Sequence, residues 1–248
     1  MPVVLALPYT LAAAALFLVL SLFVLILLLV LPGVERRRAL TRAGARWALA
    51  GMGMRVRLQH AERLPVGPCV VVANHQSYLD GVVMTAVLPA RFGFVIKREM
   101  DAVPLANLLL RRIGAEFIDR GRTGRGTRDA RRLLRAAHGG ASMVFFPEGT
   151  FGREPGLLRF HSGAFVFAVR ASLPLSPVAL RGTRRALPPG GALAWPTRID
   201  VEILPPIALP EAPPDEAVAL LRDAARAAIL ARIDEPDLAT PRSEEAAD

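Results

Sequence analysis

The chain has one cysteine, Cys69, and one lysine, Lys97, and it carries no charged side chain before Glu35. A lone cysteine excludes an intrachain disulfide and any multi-cysteine metal centre. Within the apolar run Cys69-Val70-Val71-Val72-Ala73 it reads as a small buried hydrophobe rather than an acyl-carrying nucleophile. Because there is one lysine, the formal net charge of +9 rests almost entirely on arginine. Codon bias in an alanine- and arginine-rich chain is one source of that excess, and an anionic partner is another. Nucleic acid is a poor match for a chain that opens on a membrane segment; an anionic membrane surface or a phosphorylated substrate is a better one.

The uncharged opening is long. Leu11 to Leu31 alone crosses a hydrocarbon core of ~30 Å at ~1.5 Å per residue. Basic residues follow this run rather than precede it, and no small-residue cleavage site is evident, so residues 1–34 read as an uncleaved anchor instead of a signal peptide. Arg36, Arg37 and Arg38 then place the rest of the chain on the cytoplasmic side by the positive-inside rule, and a bacterial inner membrane is the expected location. The run exceeds one span, which leaves room for tilt or a second, shallow helical piece. From Arg36 to Arg57 a helical wheel puts Leu40, Ala43, Trp47 and Met54 on one face and Arg38, Arg42 and Arg46 on the other. Residues 35–60 are therefore expected as a juxtamembrane amphipathic segment, with its arginines toward anionic head groups, or as an amphipathic helix packed on the domain.

Beyond it, short β-rich runs alternate with helical ones. Strands are predicted at 69–73, 94–96, 116–118, 143–146, 175–180 and 199–203, and helices at 79–87, 104–112, 127–137, 162–171 and 215–233. This order predicts an α/β domain over residues 61–233, a central mixed and largely parallel sheet flanked by helices. Residues 234–248 are acidic and poor in large apolar side chains, and read as a disordered tail.

Two polar segments sit just past predicted strand ends, where open α/β sheets bind ligands. The first, Asn74-His75-Gln76-Ser77-Tyr78-Leu79-Asp80, puts an imidazole five residues before a carboxylate. A neutral histidine accepts a proton from a hydroxyl when a carboxylate fixes its tautomer. Ser77 capping a helix with Asp80 three residues later explains the same spacing without chemistry, and on this heptad alone the two readings stand level. The second segment is Phe146-Pro147-Glu148-Gly149-Thr150.

With both segments, the chain resembles the glycerolipid acyltransferases typified by 1-acylglycerol-3-phosphate acyltransferase, whose first motif is Asn-His-x4-Asp and whose third is Phe-Pro-Glu-Gly-Thr. Gly114-Ala115-Glu116-Phe117-Ile118-Asp119-Arg120 corresponds to the family's second block, Gly-x-x-Phe-Ile-x-Arg. Leu175-Ser176-Pro177-Val178-Ala179-Leu180 corresponds to the fourth, an apolar strand with a central proline. One departure stands out: many members place arginine or serine directly after the third block, whereas this chain reads Phe151-Gly152-Arg153.

The resemblance implies a membrane-bound enzyme that moves a fatty acyl group from acyl-CoA or acyl-carrier protein to a lysophospholipid, with 1-acyl-sn-glycerol-3-phosphate as the first acceptor and a lyso-ornithine lipid as an alternative. A noncatalytic lipid-binding protein on the same fold is the reading from another class. Since a thioester is already activated, the transfer requires a base and oxyanion stabilisation, but neither metal nor cofactor. The resemblance makes His75 the base and Asp80 its orienting partner. It associates Glu148 with the acceptor's glycerol portion and puts Gly149 and Thr150 where backbone amides face substrate oxygen; Phe146 and Pro147 set shape. Glu148 as a loop carboxylate paired with arginine is the bland alternative. Arg120 is the first candidate for the acceptor's phosphate because arginine grips phosphate through two parallel hydrogen bonds. Lys97 and Arg153 stand behind it. Lys97 reads equally well as a surface lysine, and the run from Gly121 to Gly126 as a solvated loop rather than a phosphate cradle. His60, His138 and His161 stay outside the catalytic set.

Overall fold

The computed structural model describes residues 3–118, 125–191 and 193–239. Within them seven strands form one sheet: β1 (Arg55–Gln59), β2 (Val70–Ala73), β3 (Phe92–Lys97), β4 (Glu116–Ile118), β5 (Ser142–Phe145), β6 (Leu175–Arg181) and β7 (Arg198–Ile203). Their order across the sheet is β1-β7-β6-β2-β5-β3-β4. All pairs are parallel except β6 with β7.

The central strands have the sequences that a parallel interior demands. Val70, Val71, Val72 and Ala73 are fully buried, because helices cover both faces of the sheet there. On one face lie α2 (Val34–Gly51) and α3 (Asp80–Val87); on the other lie α5 (Arg125–His138), α6 (Gly163–Ala171) and α8 (Pro214–Leu230). A nine-residue helix α4 (Pro104–Arg112) and a one-turn helix α7 (Thr183–Ala186) complete the described set with α1 (Val3–Val30). The six predicted strands and the five predicted domain helices all form, with ends shifted by at most three residues.

Two elements differ from the sequence reading. The amphipathic helix stops at Gly51, and Arg55–Gln59 is an edge strand beside β7 rather than helix. Its pattern of arginine, valine, arginine and leucine is a short alternation, half-buried on one side, that a helical wheel absorbs equally well. Met54, placed on the lipid-facing side by that wheel, is buried in the core.

The arginine face of α2 also turns the other way. Arg38 donates to the carbonyls of Ile113 (2.8 Å), Arg91 (3.2 Å) and Gly114 (3.1 Å). Arg42 donates to Val87 O and Arg46 to Ala86 O, the last carbonyls of α3, where a helix end favours cations. These side chains therefore dock α2 on the domain, and the expectation that they face lipid head groups is corrected. Trp47, on the opposite side, is exposed.

Helix α1 contains a 25-residue window, Ala6–Val30, with mean hydropathy 3.2, long and apolar enough to cross a membrane. It folds back along α2 as an antiparallel hairpin. Gly44 and Gly51 of α2 let it approach: a Cβ on either would stand within 2.7 Å of Val24 or Leu16. Val24 and Leu28 pack on Ile113 past the end of α4, while Leu11, Val19 and Ile26 stay exposed on the outer side.

The segment after α8 is described through Ala239. Asp237 bridges Leu157 in parallel fashion, so residues 234–239 depart from the disordered tail expected there; residues 240–248 lie outside the described residues.

Candidate active site

Adjacent parallel strands β2 and β5 end in register, Val72 opposite Phe145. That pairing brings the two polar segments together at the carboxyl edge of the sheet. Asn74 continues β2 by side-chain pairing: its Nδ2 donates to Leu180 O (3.0 Å) and its Oδ1 accepts from Leu180 N (2.7 Å). An asparagine amide thereby does the work of one more strand residue, and His75 leaves the sheet at a fixed point.

The turn that follows is organised by Asp80, the fully buried first residue of α3. Its Oδ2 accepts from His75 Nδ1 (2.7 Å), Gln76 N (2.6 Å) and Ser77 N (2.8 Å). Ser77 Oγ accepts from Leu79 N (3.2 Å) and donates to Leu187 O (2.8 Å). The N-cap residue of α3 is Leu79 rather than the Ser77 of the capping reading, and no side chain caps it. Asp80 reaches back over the turn that precedes its helix, and the oxygen that holds the turn's amides also holds the histidine. With Nδ1–H committed to a carboxylate, the neutral ring presents Nε2 as its acceptor.

The imidazole is clamped on its faces. Phe146 stacks on it with ring centroids 4.4 Å apart and planes 22° apart, and Phe151 meets it edge-on, also at 4.4 Å. Phe151 in turn touches Tyr78 at 4.8 Å. The His75 side chain keeps 19% of its surface exposed, so the site is shielded and yet open to a substrate.

Glu148 is 2% exposed. Its Oε1 accepts from His75 N (2.6 Å) and its Oε2 from Leu158 N (2.9 Å). Burial pushes its carboxyl up to about 7, against the pull of those two amides. It lies beneath the histidine as a backbone clamp, which neither sequence reading anticipated. Gly149 turns the chain at a φ of 75°, and its amide donates to Phe146 O (3.1 Å). Thr150, next in line, is exposed.

Lys97 ends β3, two strands from β2, and pairs with Glu99 at 3.1 Å with both side chains exposed. Arg153 is exposed, its guanidinium lying against Gly190. Arg120 and residues 121–124 lie outside the described residues, and Arg125-Gly126 begin α5. Cys69 is buried and burial raises its thiol to about 11, a poor nucleophile. His60 faces Glu62 (3.2 Å) on the far side of β1, and His138 ends α5. Among the described residues no group of three or more His, Cys, Asp or Glu side chains is placed to share a metal ion. The pairing of Asn74 with Leu180 and the ring contact of Phe151 are the features that sequence reasoning did not anticipate. Asn74 had a visible signal, since it opens the first segment; Phe151 had only its place after the second.

A histidine held by a buried carboxylate at the strand ends of an α/β sheet defines a site suited to base-assisted group transfer. Comparison with known proteins gives the family and the fold. The Acyltransferase family matches residues 55–181, just over half of the 248 residues, and the chain belongs to that family. It is 35% identical over 181 residues to the 1-acyl-sn-glycerol-3-phosphate acyltransferase alpha of Mus musculus, covering 68% of this chain and 60% of that protein. It is 33% identical over 161 residues to the lyso-ornithine lipid O-acyltransferase of Pseudomonas aeruginosa, covering 64% and 60%. The chain thus spans about 60% of the length of these relatives. The crystal structure of the 1-acyl-sn-glycerophosphate (LPA) acyltransferase PlsC from Thermotoga maritima matches with a TM-score of 0.72 at 21% identity, over 90% of this chain and 96% of that one, and shows the same fold.

Proposed function

We propose that this chain is a membrane-bound acyltransferase that moves a fatty acyl group from an acyl thioester to the free hydroxyl of a lysophospholipid, with 1-acyl-sn-glycerol-3-phosphate as first acceptor. The observation that carries the reading is the 2.7 Å contact of His75 Nδ1 with the buried Asp80. Asp80 fixes the tautomer and stabilises the imidazolium that forms. His75 Nε2 takes the acceptor's hydroxyl proton as the oxygen bonds to the thioester carbonyl carbon. The tetrahedral oxyanion then collapses, the carbon–sulfur bond breaks, and the imidazolium proton passes to the departing thiolate. Since Gly149 N already donates to Phe146 O, the amide of Thr150 is the better candidate to face the oxyanion.

Arg120 is the first candidate for the acceptor phosphate, with Lys97 and Arg153 beyond it. Acyl-CoA or acyl-carrier protein serves as donor, and the apolar helix α1 keeps the site at the membrane, on the cytoplasmic face of a bacterial inner membrane. The relative named for lyso-ornithine lipid acylation supports a second acceptor class with the same chemistry.

The test incubates membranes holding wild-type or His75→Ala protein with labelled acyl-CoA or acyl-carrier protein and a panel of lysolipids. Acceptor-dependent product is expected, lowered ~10²–10⁴-fold by the substitution. Full activity in His75→Ala would remove the mechanism, and free fatty acid without acceptor dependence would make the protein a thioesterase.

A further inference from the structure

The loop that follows Thr150 reaches the histidine twice. Phe151 lies edge-on to its ring, and Leu158 N anchors Glu148, which holds the histidine's own backbone amide. Between those two points the loop has little secondary structure, so something else must set its path.

That something is the segment after α8. Leu157 N donates to Pro236 O (2.8 Å) and Leu238 N to Leu157 O (3.0 Å). Glu235 accepts from Gly156 N (2.8 Å) and from Arg184 Nε (2.7 Å). Arg184 in turn donates to Gly152 O (2.7 Å), one residue from Phe151. The Arg184 and Glu235 side chains are only 15% and 12% exposed. Below them Arg226 of α8 binds Asp237 (3.0 Å) and the carbonyls of Leu157 (2.9 Å) and Leu158 (3.2 Å). Gly156, at a φ of 150°, has no room for a side chain: a Cβ would stand 2.3 Å from Leu238 Cγ.

We propose that residues 235–238 form a strap that holds the 151–158 loop in its working position, and that Glu235, through Gly156 and Arg184, is a positioning residue for the reaction at His75. The proposal rests on the acyl-transfer reading for its kinetic consequence and on the contacts alone for its structural one. Glu235 touches no reacting atom. It ties three segments distant in sequence, helix α7, the loop and the C-terminal strap, into one rigid frame, and displacing a site by about 1 Å from afar costs up to ~10²-fold in turnover.

The experiment uses the full chain in membranes, as wild type, Glu235→Gln, Glu235→Ala and Gly156→Ala. Glu235→Gln keeps an acceptor for Gly156 N but loses the charge that Arg184 grips, so it separates positioning from folding. Expected are a fall in kcat of about tenfold or more for Glu235→Ala and Gly156→Ala, a smaller fall for Glu235→Gln, and an unchanged KM for the acyl donor. A double-mutant cycle with Phe151→Ala should be non-additive, because both changes release the same loop. Amide hydrogen exchange should speed up at Gly156, Leu158 and His75 in Glu235→Ala, while the core strands keep wild-type protection. Wild-type kcat in a folded Glu235→Ala, or additive effects with Phe151→Ala, would overturn the proposal. So would unchanged exchange at Leu158. If the wild type transfers acyl groups to no acceptor, the functional reading fails while the exchange measurement still decides the strap.

Discussion

The turn after β2 and the arginine face of α2 both use charged side chains to hold backbone groups, at very different range. Asp80 serves residues three, four and five positions away. Arg38 serves carbonyls 53 to 76 positions away. The first arrangement shapes one turn and with it one ring nitrogen; the second docks a helix hairpin on a finished domain. Damage to the turn should therefore appear in turnover, and damage to the arginine face in stability.

Asp80→Asn is the sharpest break of that contrast. An amide in place of the carboxylate no longer selects the tautomer that presents Nε2, and kcat should fall about 10³–10⁴-fold. Steady-state kinetics measure this at constant acceptor. A loss below tenfold would mean that Asp80 is only a cap.

Arg38→Ala should act the opposite way. It leaves the carbonyls of Ile113, Arg91 and Gly114 without their donor beneath α2, and should cost about 2–4 kcal/mol in unfolding experiments. Turnover per folded molecule should hold. If turnover falls and stability does not, the arginine face serves substrate after all.

Glu148 sharpens the comparison through pH. Its carboxyl is raised from the ordinary range to about 7 by burial, so between roughly pH 4.5 and 7 the native state binds more protons than the unfolded one. Its contribution to stability is therefore full at the acid end and is lost as pH rises through about 7. Glu148→Gln should flatten that decline in denaturation series run across this window. An equal slope in wild type and variant would mean that the carboxyl is not raised.

The smallest expected effect is at Lys97, an exposed residue at the end of β3 paired with an exposed Glu99. Lys97→Ala should change stability by less than about 0.5 kcal/mol. If the lysine helps to hold a phosphomonoester, the acceptor KM rises while donor KM stays; an unchanged acceptor KM returns it to the surface.

Much of this molecule is legible from short stretches of chain. The run of valines before Asn74 has the composition of a strand buried on both faces, and the spacing from His75 to Asp80 suits a carboxylate reaching back over one turn. Residues 34–51 show why the rest was not legible. An arginine on a helical wheel has a direction relative to its own helix, but whether lipid or carbonyls lie in that direction depends on what packs there. Arg55–Gln59 was hidden for a related reason, since five residues of alternation become a strand only when β7 arrives beside them. The family resemblance associated Glu148 with the acceptor; that its two oxygens also accept from His75 N and Leu158 N, groups 73 and 10 residues away, was not legible in the motif.

By itself the sequence determined the α/β alternation and the long apolar helix, because hydrophobic period acts within a turn or a strand, while the five-residue spacing of His75 and Asp80 left capping and pairing level. Only the tertiary structure decided which carbonyls the arginines cap, what Glu148 holds and where the segment after α8 lies. Those outcomes depend on contacts between segments remote in sequence, and such partners exist only once the sheet has brought them together.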